Sequence, residues 1–259
     1  MKKLAWLCCL SLAASMGANA AALTPGTCFG TCGSGIANGD VPTTPTGSPY
    51  QYITTYGGPL AGGSLPIGFQ LEDTNGSILT SAVFTADAGS LLEFNFLYLT
   101  SDGTETYPDY GWAALIDAGT DSQVAQLFAA RTNASGPIFP GFGLPPNAAV
   151  LSPSSVSLIT GTTWEELGPD SGSCYGPGCG NTGWVNSQYT VTAAGEYYLA
   201  IGATNAADNA FDSGLAVDGV TLDDREVELG HGIPEPASVS MLVCGLALMA
   251  LRATTRRRG

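Results

Sequence analysis

Residues 90–103 read SLLEFNFLYLTSDG, and apolar side chains recur at every second position along this stretch. In an extended chain Leu92, Phe94, Phe96 and Tyr98 share one face, and Glu93 lies on the other. A period of two that ends at a Ser-Asp-Gly turn signal is typical of a β-strand with one buried face. The stretch therefore predicts a strand that packs on a hydrophobic core.

The same alternation recurs along the chain. It places Tyr110, Trp112, Ala114 and Ile116 on one face of a second strand. Many short strands joined by glycine-rich turns are typical of two packed sheets, so we predict an all-β fold, a jelly-roll-like β-sandwich, over residues 50–229. The other candidate strands lie at residues 81–85, 123–129, 189–192, 197–201 and 215–217.

Two stretches interrupt this pattern. Residues 21–49 are rich in Gly, Thr and Pro, and we expect them to be irregular apart from a cysteine clip. Residues 133–183 contain many prolines and little strand signal. A connection this long within a compact domain either serves function or decorates the fold.

The N-terminus has the pattern of a secretory signal peptide. Lys2 and Lys3 precede an apolar stretch at residues 4–16, and Ala18-Asn19-Ala20 fits the small-x-small cleavage pattern. We predict removal of residues 1–20, with cleavage after Ala22 as the alternative. The rest of the chain should then enter the export pathway.

The C-terminal residues 233–259 read IPEPASVSMLVCGLALMALRATTRRRG. A Pro-Glu-Pro motif ends the stalk at residues 230–236, and a hydrophobic segment with a basic tail occupies residues 237–259. The fifteen residues 237–251, which are apolar apart from two serines, would rise about 22 Å as a helix. This length is short of the roughly 30 Å hydrocarbon core and is marginal for a membrane span. Basic residues after the segment should keep the tail in the cytoplasm. The motif residues are Pro234, Glu235, Pro236, Arg256, Arg257 and Arg258.

This arrangement of motif, apolar run and basic tail resembles the PEP-CTERM sorting signal of Gram-negative bacteria. The resemblance implies transient anchoring in the inner membrane as a hydrophobic sorting helix. It further implies recognition and cleavage by an exosortase, after signal peptidase has acted at the N-terminus. The mature protein would then be released or displayed at the cell surface.

Three body segments carry a second resemblance. They read SLLEFNFLYLTSDGTETYPDYGWAAL (90–115), SGSCYGPGCGNTGW (171–184) and AGEYYLAIGATNAADNAFDSGLAVDGVTL (194–222). They are similar to an uncharacterised family of secreted PEP-CTERM proteins related to choice-of-anchor domains. The resemblance implies a lectin-like or jelly-roll sandwich outside the cell, and it implies no established activity.

The body is strongly acidic. Between residues 21 and 232 the only basic residues are Arg131 and Arg225, against 21 acidic residues, which gives a formal charge of −19. Such a surface repels phosphate backbones and anionic lipid, so nucleic-acid binding is not expected. Divalent cations are the favoured counter-charge. The alternative is that the acidity serves only to keep the protein soluble.

The body has four cysteines in two tight pairs, Cys28 with Cys32 and Cys174 with Cys179. Export favours oxidation, and close spacing favours local disulfides, so we predict these two bridges. Four cysteines allow three connectivities, and a zinc site built from the same four thiolates is the alternative chemistry.

The body lacks the residues that many catalytic mechanisms need. The one histidine, His231, lies beside the sorting motif, and the body contains no lysine. Nucleophilic triads, histidine metal sites and Schiff-base chemistry therefore lack their groups. A carboxylate pair, as in glycoside hydrolysis, remains as the enzymatic alternative. Its candidates are Glu93, Glu165, Glu166 and Glu196.

Acidic loops offer a possible calcium site, because calcium takes six to eight oxygen ligands from carboxylates and carbonyls. The candidate ligands are Asp208, Asp212 and Asp218, and a second acidic turn carries Asp102 and Asp109. Turn formation by Asp and Asn without any metal is the alternative.

Aromatic side chains could stack on sugar rings, and Trp164, Tyr175 and Trp184 in or beside the long connection are the candidates. Filling the interior is the competing role for large aromatics. Taken together, the sequence predicts an exported, non-enzymatic protein of the cell surface or extracellular matrix, with exopolysaccharide as a possible partner. A carbohydrate-binding module is the first alternative, and a carboxylate-based hydrolase is the second.

Overall fold

The computed structural model describes residues 24–60, 73–131 and 136–230, and these residues form two antiparallel sheets. The predicted all-β fold is thereby confirmed. The signal peptide and the whole sorting motif, with His231, lie outside the described residues. In the described ranges we find no helix of the length and apolarity that a membrane crossing requires.

Sheet A has the strand order β1-β4-β12-β7-β8, with β5 paired to one end of β12. All of its pairings are antiparallel, and β12 lies at the centre between β4 and β7. Its strands are β1 (Cys28–Phe29), β4 (Asp73–Thr80), β5 (Phe84–Ala86), β7 (Tyr110–Asp117), β8 (Ser122–Ala130) and β12 (Gly195–Ala206).

Sheet B has the strand order β2-β3-β13-β6-β11-β9, with β10 paired to β6 and β14 to β13. A single 3₁₀ segment, Glu165–Asp170, interrupts the connection between β9 and β10. The strands are β2 (Thr31–Gly35), β3 (Tyr50–Thr54), β6 (Leu91–Thr100), β9 (Val150–Ser152), β10 (Gly180–Asn181), β11 (Val185–Thr190), β13 (Ser213–Leu222) and β14 (Arg225–Glu226).

The main core lies between the sheets and follows the predicted alternation of β6. Phe94, Phe96 and Tyr98 are buried there against residues of both sheets, including Phe128 of β8. The rings of Phe96 and Phe128 stack at 3.7 Å between centroids. Burying an aromatic side chain of this size stabilises the fold by roughly 1.5–3 kcal/mol.

The alternation predicted for β7 is also present, but its large residues face outward from the sandwich. Ala113 and Leu115 point into the inter-sheet core, whereas Tyr110, Trp112 and Ile116 belong to a separate cluster. That cluster includes Leu144 from the connection after β8, which explains how the outer face of sheet A comes to be buried. A period of two identifies the face that is buried without saying which layer buries it.

The outer face of sheet B is covered in the same way. Leu97 and Leu99 of β6 form a third cluster with Trp164 and Leu167 of the long connection and Val41 of the N-terminal segment. The long connection therefore has a structural task, because it closes one face of the sheet.

The N-terminal segment corrects the predicted domain boundary. Residues 21–49 are expected from the sequence to be irregular apart from a cysteine clip, yet Cys28–Phe29 pairs with β4 in sheet A and Thr31–Gly35 pairs with β3 in sheet B. The sandwich thus begins at Cys28 instead of residue 50. These two strands could not be predicted from the sequence, because their glycine-rich residues show almost no alternation of apolar and polar side chains.

Candidate functional site

Six aspartates lie at one end of the sandwich, which we call the acidic end. Strands β3, β6 and β12 finish there and strands β4, β7 and β13 begin there, as the pairings Thr100 with Ser213 and Thr204 with Tyr110 show. Each aspartate stands at or next to a strand end, or at the end of the 3₁₀ segment. They are Asp73, Asp102, Asp109, Asp170, Asp208 and Asp212.

Asp109 is the most deeply buried carboxyl group of this end. Burial raises its pKa well above the ordinary value, and the charges of Asp102 and Asp208 raise it further. Hydrogen bonds from the Ser213 hydroxyl at 2.7 Å and from the Ala206 N–H at 3.1 Å act in the opposite direction. Burial and the neighbouring carboxylates thus both favour the protonated form of Asp109.

The hydroxyl chain beside Asp109 supports a protonated state. Ser213 Oγ lies 2.7 Å from Asp109 Oδ2 and 2.6 Å from Thr100 Oγ1, while Thr100 Oγ1 lies 2.8 Å from the Asp102 carbonyl oxygen. Ser213 has one hydroxyl hydrogen, so beside an ionised Asp109 it can donate either to the carboxylate or to Thr100. A proton on Oδ2 allows all three contacts to be hydrogen bonds, because Asp109 then donates to Ser213, Ser213 donates to Thr100 and Thr100 donates to the carbonyl.

Asp212 immediately precedes β13 and is held by polar contacts. Its Oδ1 accepts from Thr55 Oγ1 at 2.7 Å and from Asn205 Nδ2 at 3.4 Å, and its N–H donates to Asp170 Oδ2 at 3.1 Å. Burial raises the pKa of Asp212, and the neighbouring Asp170 carboxylate adds to this rise.

Asp102 has one satisfied and one unsatisfied oxygen. Its Oδ1 accepts from the N–H and the hydroxyl of Thr104, at 3.0 and 3.1 Å. Within the described part of the chain, Oδ2 is buried without a hydrogen-bond partner, and so is the side-chain oxygen of Asn205. Burial raises the pKa of Asp102 to about 6, with a contribution from Asp208. The acidic end therefore holds two buried oxygen atoms that none of its own described donors satisfies.

Three aromatic rings lie on the rim of the acidic end, and we call Tyr107, Tyr175 and Phe211 the aromatic cluster. Tyr175 is 43% exposed and stacks on Phe211, with ring centroids 5.0 Å apart and an interplanar angle of 26°. Tyr107 lies 5.8 Å from Tyr175 at a tilt of 56°. The three rings come from three different loops.

Backbone bonds and a disulfide fix Tyr175 in place. Its N–H donates to the Ser101 carbonyl at 2.8 Å, and its carbonyl accepts from the Gly103 N–H at 2.9 Å. The bridge between Cys174 and Cys179 closes the loop that carries the ring. Tyr175 is thus presented to solvent from a braced loop, as a preformed binding group requires.

The predicted sugar-stacking residues do not form one surface. Trp164 is fully buried and donates its Nε1 hydrogen to the Tyr50 hydroxyl at 2.9 Å, so its assignment to glycan stacking is wrong. Trp184 is half-buried, lies 6.4 Å from Tyr50 and donates to the Pro42 carbonyl at 3.3 Å. Only Tyr175 joins the aromatic cluster. Phe211 was missed, because its loop has the composition of an ordinary acidic turn.

The predicted calcium ligands are not brought together either. Asp218 lies within β13, where its two oxygens accept from the Thr46 N–H at 3.0 Å and the Thr46 hydroxyl at 2.6 Å. Five residues of β13 lie between Asp212 and Asp218, which places the two about 20 Å apart at the usual rise per residue. Nowhere in the described ranges do three Asp, Glu, Cys or His side chains form a group that could hold a metal ion. Calcium at the acidic end stays a prediction and would need amide and carbonyl oxygens for most of its ligands.

Both predicted disulfides are confirmed, Cys28 with Cys32 and Cys174 with Cys179. This pairing rules out the alternative of a zinc site built from the same four cysteines, because disulfide sulfurs cannot serve as thiolate ligands.

The candidate hydrolase glutamates are spread over several elements. Glu93 accepts from Asn186 Nδ2 at 2.9 Å on β6, and Glu196 is exposed on β12. Glu166 accepts from the Tyr50 hydroxyl at 3.1 Å, next to the exposed Glu165. None of the four lies among the aspartates of the acidic end.

No family model, curated protein or solved structure matches this chain.

Proposed function

We propose that this chain is an exported, non-enzymatic protein of the cell surface or extracellular matrix, with a jelly-roll-like sandwich processed through a PEP-CTERM sorting signal. The observation that carries the proposal is the pair of disulfides in the folded body, since such bonds persist in oxidising compartments outside the cytoplasm. The signal-peptide pattern and the C-terminal motif support the same route. Signal peptidase and an exosortase are the proposed processing partners.

Intact-mass measurement of the protein recovered from the medium or cell surface of an exosortase-positive host tests this route. We expect a mass that lacks residues 1–20 and everything beyond the Pro-Glu-Pro motif. Glu235→Ala should leave the protein uncleaved and cell-associated, whereas Glu228→Ala, at an exposed residue before the motif, should be processed normally. A secreted mass that still includes Arg256, Arg257 and Arg258 would contradict the proposal.

The activity that the site favours within this role is carbohydrate binding. The specific observation is the exposed Tyr175, stacked on Phe211 and braced by a disulfide, because sugar rings present apolar faces that stack on aromatic side chains. Exopolysaccharide is the proposed class of partner.

A glycan array probed with the mature domain and with Tyr175→Ala tests the binding proposal. Losing the burial of one aromatic ring, about 1.5–3 kcal/mol, should weaken binding by about tenfold or more. Phe29→Ala is the matched control, since Phe29 is also a half-exposed ring but lies on β1, away from the acidic end. Equal binding by the Tyr175 and Phe29 variants would remove the aromatic cluster from the account.

A further inference from the structure

We propose that the glycan recognised by the aromatic cluster carries protonated amino groups, as in a glucosamine polymer. This inference rests on the proposed carbohydrate binding and names the chemical class of its ligand. It follows from how rings and carboxylates are arranged at the acidic end.

Two rings of the aromatic cluster have carboxylates on their own loops, and the third is bridged to a segment that carries one. Tyr107 lies between Glu105 and Asp109 in sequence, and Phe211 lies between Asp208 and Asp212. Tyr175 forms its parallel bridge with Asp102, whose Oδ2 has no hydrogen-bond partner in the described ranges. The segments that carry or contact the three rings therefore also carry carboxylates.

The carboxylates differ in how they can act on a ligand. Glu105 is exposed and Asp208 is partly exposed, so these two can bond directly to a ligand amine. Asp102 and Asp212 are buried and contribute through the electrostatic potential of the end, as far as they are ionised. The direct bonds from the exposed carboxylates and the electrostatic potential of the buried ones thus both favour a positively charged ligand.

No cation on this surface could receive an anionic sugar. The only basic residues of the described ranges are Arg131 and Arg225. Arg131 is buried, with Nη1 bonded to the Phe142 carbonyl at 2.6 Å and its guanidinium 5.3 Å from the centre of the Tyr110 ring. Arg225 pairs with Leu222 at the opposite end of β13. Uronic acids and sulfated sugars would therefore be repelled.

A protonated amine complements both features of the site. It can bond to Glu105 or Asp208, and a cation near the exposed ring of Tyr175 also gains a cation–π attraction. The neutral face of the same sugar stacks on the aromatic cluster. A neutral glycan can stack on the aromatic cluster but makes no charged contact. A basic peptide can make the charged contacts but has no sugar face to stack on the rings.

Calorimetric titration of the mature domain with soluble glucosamine oligomers tests the inference, in low-salt buffer acidic enough to protonate the amines. The comparison ligands are N-acetylglucosamine oligomers of the same length and uronic acid oligomers. We expect glucosamine oligomers to bind about tenfold or more tightly than the acetylated ones, because a hydrogen bond to a charged group adds about that factor. Added salt should reduce the difference, and uronic acid oligomers should not bind.

Variants separate the two contributions. Tyr175→Ala should weaken both glucosamine and N-acetylglucosamine oligomers, whereas Glu105→Gln and Asp208→Asn should weaken glucosamine oligomers alone. Asp87→Asn, an exposed carboxylate at the opposite end near Ser90, should change neither.

Three outcomes would overturn the inference. Equal affinity for acetylated and deacetylated oligomers would leave the proposed carbohydrate binding standing and remove the charge argument. If glucosamine oligomers do not bind while the glycan array shows a neutral ligand that depends on Tyr175, carbohydrate binding would stand and the preference for amino groups would be wrong. Oligolysine binding as tightly as glucosamine, with no dependence on Tyr175, would reduce the effect to general attraction of polycations.

Discussion

Replacing Trp164 with alanine is expected to destabilise the protein by about 3–5 kcal/mol, the usual cost of deleting a fully buried tryptophan. The ring is fully buried between Tyr50 and Tyr52, at 6.3 and 6.2 Å between centroids. It also fills the space above Gly214, where an added Cβ would lie 2.6 Å from the ring. The substitution leaves a cavity on the outer face of sheet B and removes the bond to the Tyr50 hydroxyl. Denaturant unfolding of the mature domain measures the change.

Trp184→Ala is the matched control for this prediction. Trp184 packs near the same Tyr50 but is only half-buried, so its loss should cost clearly less than the loss of Trp164. The account would be contradicted if Trp164→Ala unfolded like the wild type while losing glycan binding, because Trp164 would then belong to a binding surface.

Replacing Asp109 with asparagine is expected to stabilise the protein at neutral pH. Burial raises the pKa of Asp109 in the folded state, so the folded protein binds this proton more tightly than the unfolded chain. The stability from this group is complete below its unfolded value of 3.8 and is lost as the pH rises through the raised value. Asparagine carries no charge at any pH, and its amide can donate to Ser213 as the protonated acid does.

The measurement is a series of thermal melts from acidic to neutral pH, in chelator so that bound cations do not contribute. Wild-type stability should fall as the pH rises, partly through Asp102, whose pKa is about 6. Asp109→Asn should flatten this fall, and each kcal/mol gained at neutral pH raises the melting temperature by about 2–4 °C.

Asp223→Asn serves as the control, because this carboxylate is exposed and its pKa is lowered by a hydrogen bond from the Leu91 N–H. It should give no stabilisation at neutral pH. A lower neutral-pH melting temperature for Asp109→Asn than for the wild type would mean that Asp109 is ionised in the fold.

Local patterns predicted much of the fold. The alternation of Phe94, Phe96 and Tyr98 placed one strand correctly, since a period of two depends only on neighbours in the chain. The close spacing within each cysteine pair likewise predicted both disulfides. Burial of a sheet face by a segment that is distant in the sequence could not be predicted in this way. Trp164 lies in a proline-rich connection with no periodicity, and only the folded sheet shows that Leu97 and Leu99 need a cover there.

The candidate site could be predicted only in its parts. Tyr107, Tyr175 and Phe211 lie far apart in sequence and meet because β6, β12 and β13 finish or begin at the same end of the sandwich. Strand order across two sheets depends on long-range pairing, which alternation does not encode. The predicted grouping of Asp212 with Asp218 failed for a local reason, since Asp212 immediately precedes β13 and Asp218 lies in the middle of that strand.

The most direct test of the account is to locate the binding surface. Amide chemical shifts of the isotope-labelled mature domain would be followed by NMR during titration with glucosamine oligomers. We predict that the shifts concentrate on the loops that carry Tyr107, Tyr175 and Phe211, with Glu105 and Asp208 among the affected residues. Shifts confined to the groove at the opposite end, lined by Phe84, Leu222 and Val227 among others, or no shifts at any ligand concentration, would contradict the account.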